Sequence, residues 1–133
     1  MASERWKRSR TSIHNVSYHL IWCPKYRRKV LTPPIDADLK KLLLKKAKEL
    51  GVEIVNIEVM PDHVHLFVKA NPIAAPQWLV NQFKGYTSHE LRAMHTTLRT
   101  RLPTLWTRSY YCESVGHISE ATIKKYIEEQ KGQ

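Results

Sequence analysis

Apolar and polar residues alternate along several short stretches of this chain, which is the pattern of half-buried strands. In the first stretch, residues 13–23, the apolar positions share one face: Val16, Tyr18, Leu20 and Trp22. The polar positions share the other face: Asn15, Ser17 and His19. The same pattern predicts strands over residues 52–60 and 63–70, joined by a tight turn, and over residues 109–115.

A helical period separates these strands. Four leucines form one stripe of a helix over residues 35–50: Leu39, Leu42, Leu43 and Leu50. Gly51 follows it as a residue type that ends helices. A long helical stretch covers residues 77–102, in which Gly85 is a candidate interruption and Pro103 is the stop. A last helix, with Ser119 as N-cap, runs to about residue 130.

The predicted order is β-α-β-β-α-β-α. Its first six elements match the ferredoxin-like (RRM-like) α+β fold, a four-stranded antiparallel sheet with two helices on one face. The seventh element, a C-terminal helix, is extra, and the second face of the sheet is left for it. We expect a single domain over residues 12–133, preceded by a basic, flexible arm at residues 1–11.

Charge narrows the choice of partner. The 133 residues include 22 Lys and Arg against 12 Asp and Glu, a net charge of +10. Such an excess suits a polyanion, and nucleic acid is the first candidate. We expect phosphate contacts from a basic loop and from lysines of the predicted helices. These residues are Lys25, Arg27, Arg28, Lys29, Lys41, Lys45 and Lys84.

Other classes of protein are excluded by what the sequence lacks. There is no CxxC pair for a zinc ribbon, no apolar run of about 18 residues for a membrane span, and no apolar leader. We therefore expect a cytoplasmic protein with reduced thiols and without a membrane partner.

Two histidines on the third predicted strand are candidates for chemistry. His63 and His65 stand at i and i+2, so they share a face and lie roughly 7 Å apart along the strand. Two imidazoles in this arrangement can chelate one metal ion. Two ordinary surface histidines would give the same pattern, because a bare HxH motif is short.

The last predicted helix strengthens the functional interpretation. Its stripe at i, i+3, i+4 and i+7 consists of Ile123, Tyr126, Ile127 and Gln130. A stripe that served only a core would rarely carry Gln130. A helix lying on the uncovered sheet face would bring a phenol and a carboxamide to the two imidazoles. That arrangement is a metal site with a nucleophile beside it.

These residues resemble the single-tyrosine HUH transposases called TnpA, which mobilise the smallest insertion sequences as single-stranded DNA. The matching segments are MPDHVHL at 60–66, FKGYTS at 83–88, LW at 105–106, SYYCESVG at 109–116 and YIEEQ at 126–130. The resemblance covers about residues 13–130. A histidine pair followed by a terminal Tyr-x3-Gln in so short a chain is a specific combination.

The resemblance implies a mechanism. His63, His65 and Gln130 would hold a divalent metal, and Tyr126 would attack a DNA phosphate to form a 5′-phosphotyrosine and release a 3′-OH. Mixed imidazole and amide ligands suit Mn²⁺, and Mg²⁺ is abundant. The family also implies a homodimer that recognises DNA hairpins, often with the active site assembled between subunits, and no nucleotide cofactor.

Two other functions stay open at this point. A non-enzymatic RNA-binding module has the same fold and stacks bases on aromatic residues of the exposed sheet face. A domesticated relative would cut genomic palindromic repeats with the same chemistry. Formation of a covalent DNA adduct separates the first alternative, and the DNA that flanks the gene separates the second.

Overall fold

The fold is built on one four-stranded antiparallel sheet. The computed structural model describes residues 7–8, 13–14, 16–71, 73–115 and 128. The strands of the sheet are β1 (Val16–Trp22), β2 (Glu53–Met60), β3 (His63–Ala70) and β4 (Tyr111–Val115). Their order is β2-β3-β1-β4, with β3 in the centre beside β1. This is the order of a ferredoxin-like sheet, so the predicted α+β fold is confirmed.

The N-terminal boundary differs from the prediction. The first strand of the sheet begins at Val16, and Ile13–His14 pairs instead with Lys7–Arg8 in a two-residue ladder. Part of the predicted basic arm, residues 1–11, therefore has regular backbone structure.

In the continuous part of the described chain, residues 16–115 apart from 72, three α-helices connect or flank the strands: α1 (Ile35–Leu50), α2 (Pro76–Met94) and α3 (Thr96–Arg101). A short 3-10 turn, Lys25–Arg27, follows β1. The bounds of α1 agree with the sequence prediction. Gly51 ends it in the left-handed region, at φ 73°, and its N–H donates to the carbonyls of Ala47 and Lys48.

The second helical stretch breaks at a different residue from the one predicted. Gly85 lies within α2, and the helix ends at His95, whose φ of −125° separates α2 from α3. The His95 imidazole is 2.8 Å from the Asp38 carboxylate of α1. This tertiary contact holds the break against the first helix, and local helix propensity gives no sign of it.

The main core lies between α1, α2 and one face of the sheet. Trp22 of β1 stacks on Phe83 of α2, with ring centroids 6.4 Å apart, and meets the ring of Trp106 edge-on at 6.0 Å. The Trp106 indole N–H donates to Thr87, so this buried polar atom has a partner. The aromatic cluster fixes the end of β1 that leads into the basic loop.

The second face of the sheet is more buried than the alternation of β1 suggests. Ser17 and His19 occupy polar positions of a strand expected to be half-exposed, yet their exposed fractions are 3% and 1%. Phe67 of β3 is completely buried on the same face and packs with Val55 and Val115. The face opposite α1 and α2 therefore has a small apolar cluster of its own.

The predicted last helix lies almost entirely outside the described residues, as do Ser119, Tyr126 and Gln130. Glu128 is described, and it is helical and exposed. Among helices in the described ranges, none has the length and apolar character needed to cross a lipid bilayer.

Candidate active site

The two predicted metal-binding histidines lie together at the start of β3. Their side chains are on the sheet face opposite α1 and α2, and their ring centroids are 4.6 Å apart. His63 is half-buried and His65 is buried. The alternation of β3 accounts for this arrangement, because Val64 and Leu66 point into the core between the helices and the sheet.

A carboxylate orients the first histidine. Asp62, in the turn between β2 and β3, accepts a hydrogen bond from Nδ1 of His63 at 2.7 Å, and its other oxygen accepts one from Arg27 at 3.1 Å. Burial alone would raise the pKa of Asp62, but the hydrogen bond and charge of His63, together with Arg27, lower it. With Nδ1 bonded to a carboxylate, Nε2 is the nitrogen of His63 that faces a ligand.

The turn that carries Arg27 is conformationally unusual. Tyr26 and Arg27 both have positive φ angles, 60° and 51°, in a region that residues other than glycine rarely adopt. Backbone strain of this kind is concentrated at functional sites. In this turn the Arg27 guanidinium lies 3.1 Å from the Asp62 carboxylate.

A third histidine, His19, forms a hydrogen bond with His65. Nε2 of His19 lies 3.2 Å from Nδ1 of His65, across the β1–β3 pairing. Burial, and to a smaller extent the neighbouring His63 and His19, together lower the pKa of His65 to about 4. Burial also lowers the pKa of His19, against the opposing charge of Glu113. His65 is therefore neutral near pH 7, which is the form of imidazole that binds metals.

Sequence reasoning did not find the roles of His19 and Asp62. The sequence separation of His19 from His63 and His65 matches no metal-ligand motif. Which residues lie next to His19 depends on which strand pairs with β1. Asp62 lies in the tight turn predicted between the two strands, and a turn position by itself indicates no ligand role. Its position next to His63 in the HUH segment was the available signal, because metal-binding histidines commonly donate their second N–H to a carboxylate.

The donor set of the described residues fits part of a metal site. Two imidazoles each have Nδ1 in a hydrogen bond, so both Nε2 atoms are available as ligands. Glu58, opposite His65 in the β2–β3 register, is buried on the same face. Within the described ranges no group of three His, Cys, Asp or Glu residues can hold an ion. The predicted third ligand, Gln130, lies outside those ranges.

Most of the predicted DNA-contacting cations are at the surface. Lys25 is half-buried, whereas the remaining loop and α1 positions are exposed: Arg27, Arg28, Lys29, Lys41 and Lys45. Arg28 and Lys29 line a cavity of about 510 Å³ together with Arg101 of α3. A basic cavity of this kind suits a phosphate.

Lys84, which the sequence predicts as a phosphate contact, is buried. It lies on the inner side of α2 with 9% of its surface exposed, and its ammonium donates to the carbonyls of Thr107 and Ser109. Burial lowers its pKa. In this arrangement Lys84 joins α2 to the segment before β4 and is not part of the basic surface.

Known proteins match this chain over nearly its whole length. Residues 12–130 match the family described as "Transposase IS200 like". The ISDra2 transposase TnpA of Deinococcus radiodurans is 38% identical over 126 residues, which cover 93% of this chain and 90% of that protein. The transposase for insertion sequence element IS200 of Salmonella typhimurium is 27% identical over 132 residues, 98% of this chain and 81% of that protein.

Solved structures of transposases share the fold of this chain. A crystal structure of a Deinococcus radiodurans protein described as a transposase superposes with a TM-score of 0.78 at 35% identity, covering 93% of this chain and 97% of that one. A REP-associated tyrosine transposase bound to a REP hairpin superposes with a TM-score of 0.60 at 15% identity, covering 92% and 67% of the two chains.

The family match spans β1 to the end of the predicted last helix, and it includes both histidines of β3. A match of this extent, to enzymes of one kind, decides against the non-enzymatic RNA-binding module. The chain belongs to the IS200-like transposase family, the single-tyrosine HUH transposases.

Proposed function

We propose that this transposase cleaves and rejoins single-stranded DNA at the ends of an insertion sequence, through a 5′-phosphotyrosine at Tyr126. The observation that carries the proposal is the histidine pair of β3. Asp62 and His19 bind Nδ1 of His63 and His65, so the two Nε2 atoms can converge on one ion. A pair of surface histidines without a function would not need two such partners.

Mg²⁺ or Mn²⁺ would be held by His63, His65 and Gln130. When bound, the ion would polarise the scissile phosphate and neutralise its developing charge. Asp62 keeps the His63 ring in the tautomer and orientation that ligation requires. The buried, neutral His65 needs no deprotonation before it binds.

Tyr126 is the proposed nucleophile. Its phenol loses its proton to solvent as the oxygen bonds to the phosphorus of the scissile phosphodiester. The bond from phosphorus to the 3′ oxygen breaks, and that oxygen takes a proton from solvent and leaves as a 3′-OH. Attack of a 3′-OH on the phosphotyrosine reverses the step and joins two DNA ends. Each step exchanges one phosphodiester bond for another, so no nucleotide cofactor is needed to supply energy.

The basic surface supports a DNA partner. Arg28, Lys29, Lys41 and Lys45 are exposed cations without a described ion pair, and the structural relative at TM-score 0.60 carries its hairpin on the same fold. We therefore propose hairpins near the element ends as the recognised feature. We likewise propose a cytoplasmic location, since the proposed substrate is DNA.

A gel assay tests the proposal. Wild-type protein is incubated with single-stranded DNA from the flanks of its own gene and Mn²⁺, and adducts that resist denaturation are mapped by mass spectrometry. We expect a DNA-linked Tyr126, no adduct with Tyr126→Phe, and wild-type adduct with the matched control Tyr86→Phe on α2. An adduct on another tyrosine would refute the assignment. Cleavage at genomic repeats and not at element ends would favour the domesticated relative.

We also propose a homodimer in which Tyr126 of one subunit works with His63 and His65 of the other. Subunits carrying Tyr126→Phe are exchanged with subunits carrying His65→Ala. In a trans arrangement, a mixed dimer has one site with both defects and one site with neither, so cleavage returns. If mixed dimers are present and stay inactive, each site is formed within one chain.

A further inference from the structure

A groove of about 350 Å³ opens beside the histidine pair, at the end of the sheet where β1 finishes and β4 begins. Its lining includes Ile21, Cys23, Arg27, Tyr110 and Tyr111. The volume lies at the lower end of the range of small-molecule sites, roughly 300–1,000 Å³. Nothing in the proposed cleavage chemistry uses this groove.

The β-sheet register connects the groove to the histidines. Ile21 is the direct partner of His65 in β3 on one side and of Tyr111 in β4 on the other. The three residues therefore form one row across the histidine face. Since neighbouring strands are separated by roughly 4.8 Å, the Cα atoms of His65 and Tyr111 are roughly 10 Å apart. An extended single strand of DNA can pass from one to the other.

The Tyr111 ring is held in place and still exposed. Its hydroxyl donates to Glu113 at 3.1 Å, and its ring meets His19 in a T-shaped contact with centroids 6.4 Å apart. A T-shaped contact leaves at least one face of the tyrosine open, and 51% of the residue is exposed. A rigid aromatic face at the surface is suited to stacking a nucleobase.

Arg27 supplies a charge at the same groove. Its side chain is 70% exposed although one nitrogen is bonded to Asp62. A guanidinium has five N–H donors, so the remaining ones can bind a phosphate while the bond to Asp62 persists. Arg27 is in this way linked to His63 through one carboxylate.

We propose that this groove is a nucleotide subsite of the active site, in which Tyr111 stacks the base and Arg27 binds the phosphate of a nucleotide next to the scissile bond. The inference rests on the proposed function, because it assumes that single-stranded DNA passes over the histidine pair. Tyr110 is not the stacking residue, since it is half-buried and packs against the main core.

Equilibrium binding tests the stacking contact without cleavage. A fluorescein-labelled oligothymidylate is titrated by anisotropy in EDTA. We expect Tyr111→Leu to weaken binding about 10-fold, the scale of one lost base–aromatic stack, and Tyr111→Phe to retain it. Trp78→Leu is the matched control, an exposed aromatic on α2 that lines a different cavity, and it should bind as wild type. Equal affinities for Tyr111→Leu and wild type would overturn the proposal.

The phosphate contact and the position of the base have separate readouts. Arg27→Gln should reduce the slope of log affinity against log salt by roughly 0.7, the value for one phosphate of a single strand, and the exposed Arg99→Gln control should leave it unchanged. An oligothymidylate with one 5-iododeoxyuridine should photo-cross-link to Tyr111 of the wild-type protein. Cross-links only outside the groove would overturn the subsite whether or not any variant folds.

Failure of the subsite and failure of the proposed function are distinguishable. If wild-type protein forms the Tyr126 adduct but Tyr111→Leu binds normally, the subsite is wrong and the cleavage mechanism stands. If no adduct forms but Tyr111→Leu binds weakly and the cross-link maps to Tyr111, the groove binds single strands and the proposed chemistry fails.

Discussion

Replacing the buried ammonium of Lys84 by an apolar side chain of similar length distinguishes a structural lysine from a DNA contact. Lys84→Met removes the charged hydrogen bonds to the carbonyls of Thr107 and Ser109. A hydrogen bond to a charged group contributes about 1.5–3 kcal/mol. Methionine offsets part of this loss, because it carries no charge that must be desolvated. We expect a net destabilisation of about 2 kcal/mol, which lowers the melting temperature by about 8 °C for a domain of this size.

The assay pairs thermal unfolding with DNA binding. Unfolding is followed by the fluorescence of the tryptophans, and binding of single-stranded DNA is measured over a range of salt. Lys84→Met should melt early and keep the wild-type salt slope. Lys41→Met on the exposed face of α1 is the matched control, with stability within about 0.5 kcal/mol of wild type and a slope smaller by roughly 0.7.

The opposite pair of results would refute this reasoning. Suppose that Lys84→Met has the melting temperature of the wild-type protein, and that its slope of log affinity against log salt is smaller by the value of one phosphate contact. Lys84 then binds DNA, and its bonds to the two carbonyls contribute nothing to stability.

Three further changes test the histidine face. Asp62→Asn should weaken Mn²⁺ binding about 10–100-fold by isothermal titration, because His63 loses its orienting carboxylate; unchanged affinity would contradict this role. His65→Ala should abolish Mn²⁺-dependent adduct formation with the circular dichroism spectrum retained, and normal adduct would return the pair to the surface-histidine interpretation. Phe67→Ala should lower the free energy of unfolding by about 3–5 kcal/mol in urea, since the ring is fully buried, and a loss below about 1 kcal/mol would show that this face is open.

Local periodicity was sufficient for much of the fold and for the histidine pair. The alternation of residues 63–70 predicts that His63 and His65 share one face of the strand. That face is opposite the main core between the helices and the sheet. The bounds of α1 follow from its leucine stripe and from Gly51, because both signals act within a few residues. These features depend on interactions between near neighbours in the chain, which a sequence displays directly.

Contacts between distant residues were decided by the tertiary structure. His19 and His65 are 46 positions apart and meet only because β1 and β3 pair in one register. The helix break at His95 depends on Asp38 of another helix. Composition counts Lys84 among the surface cations, but only packing shows its ammonium turned inward. The physical reason is common to all three: periodicity specifies which face a residue is on, and the neighbouring element decides whether that face meets solvent, a carbonyl or another imidazole.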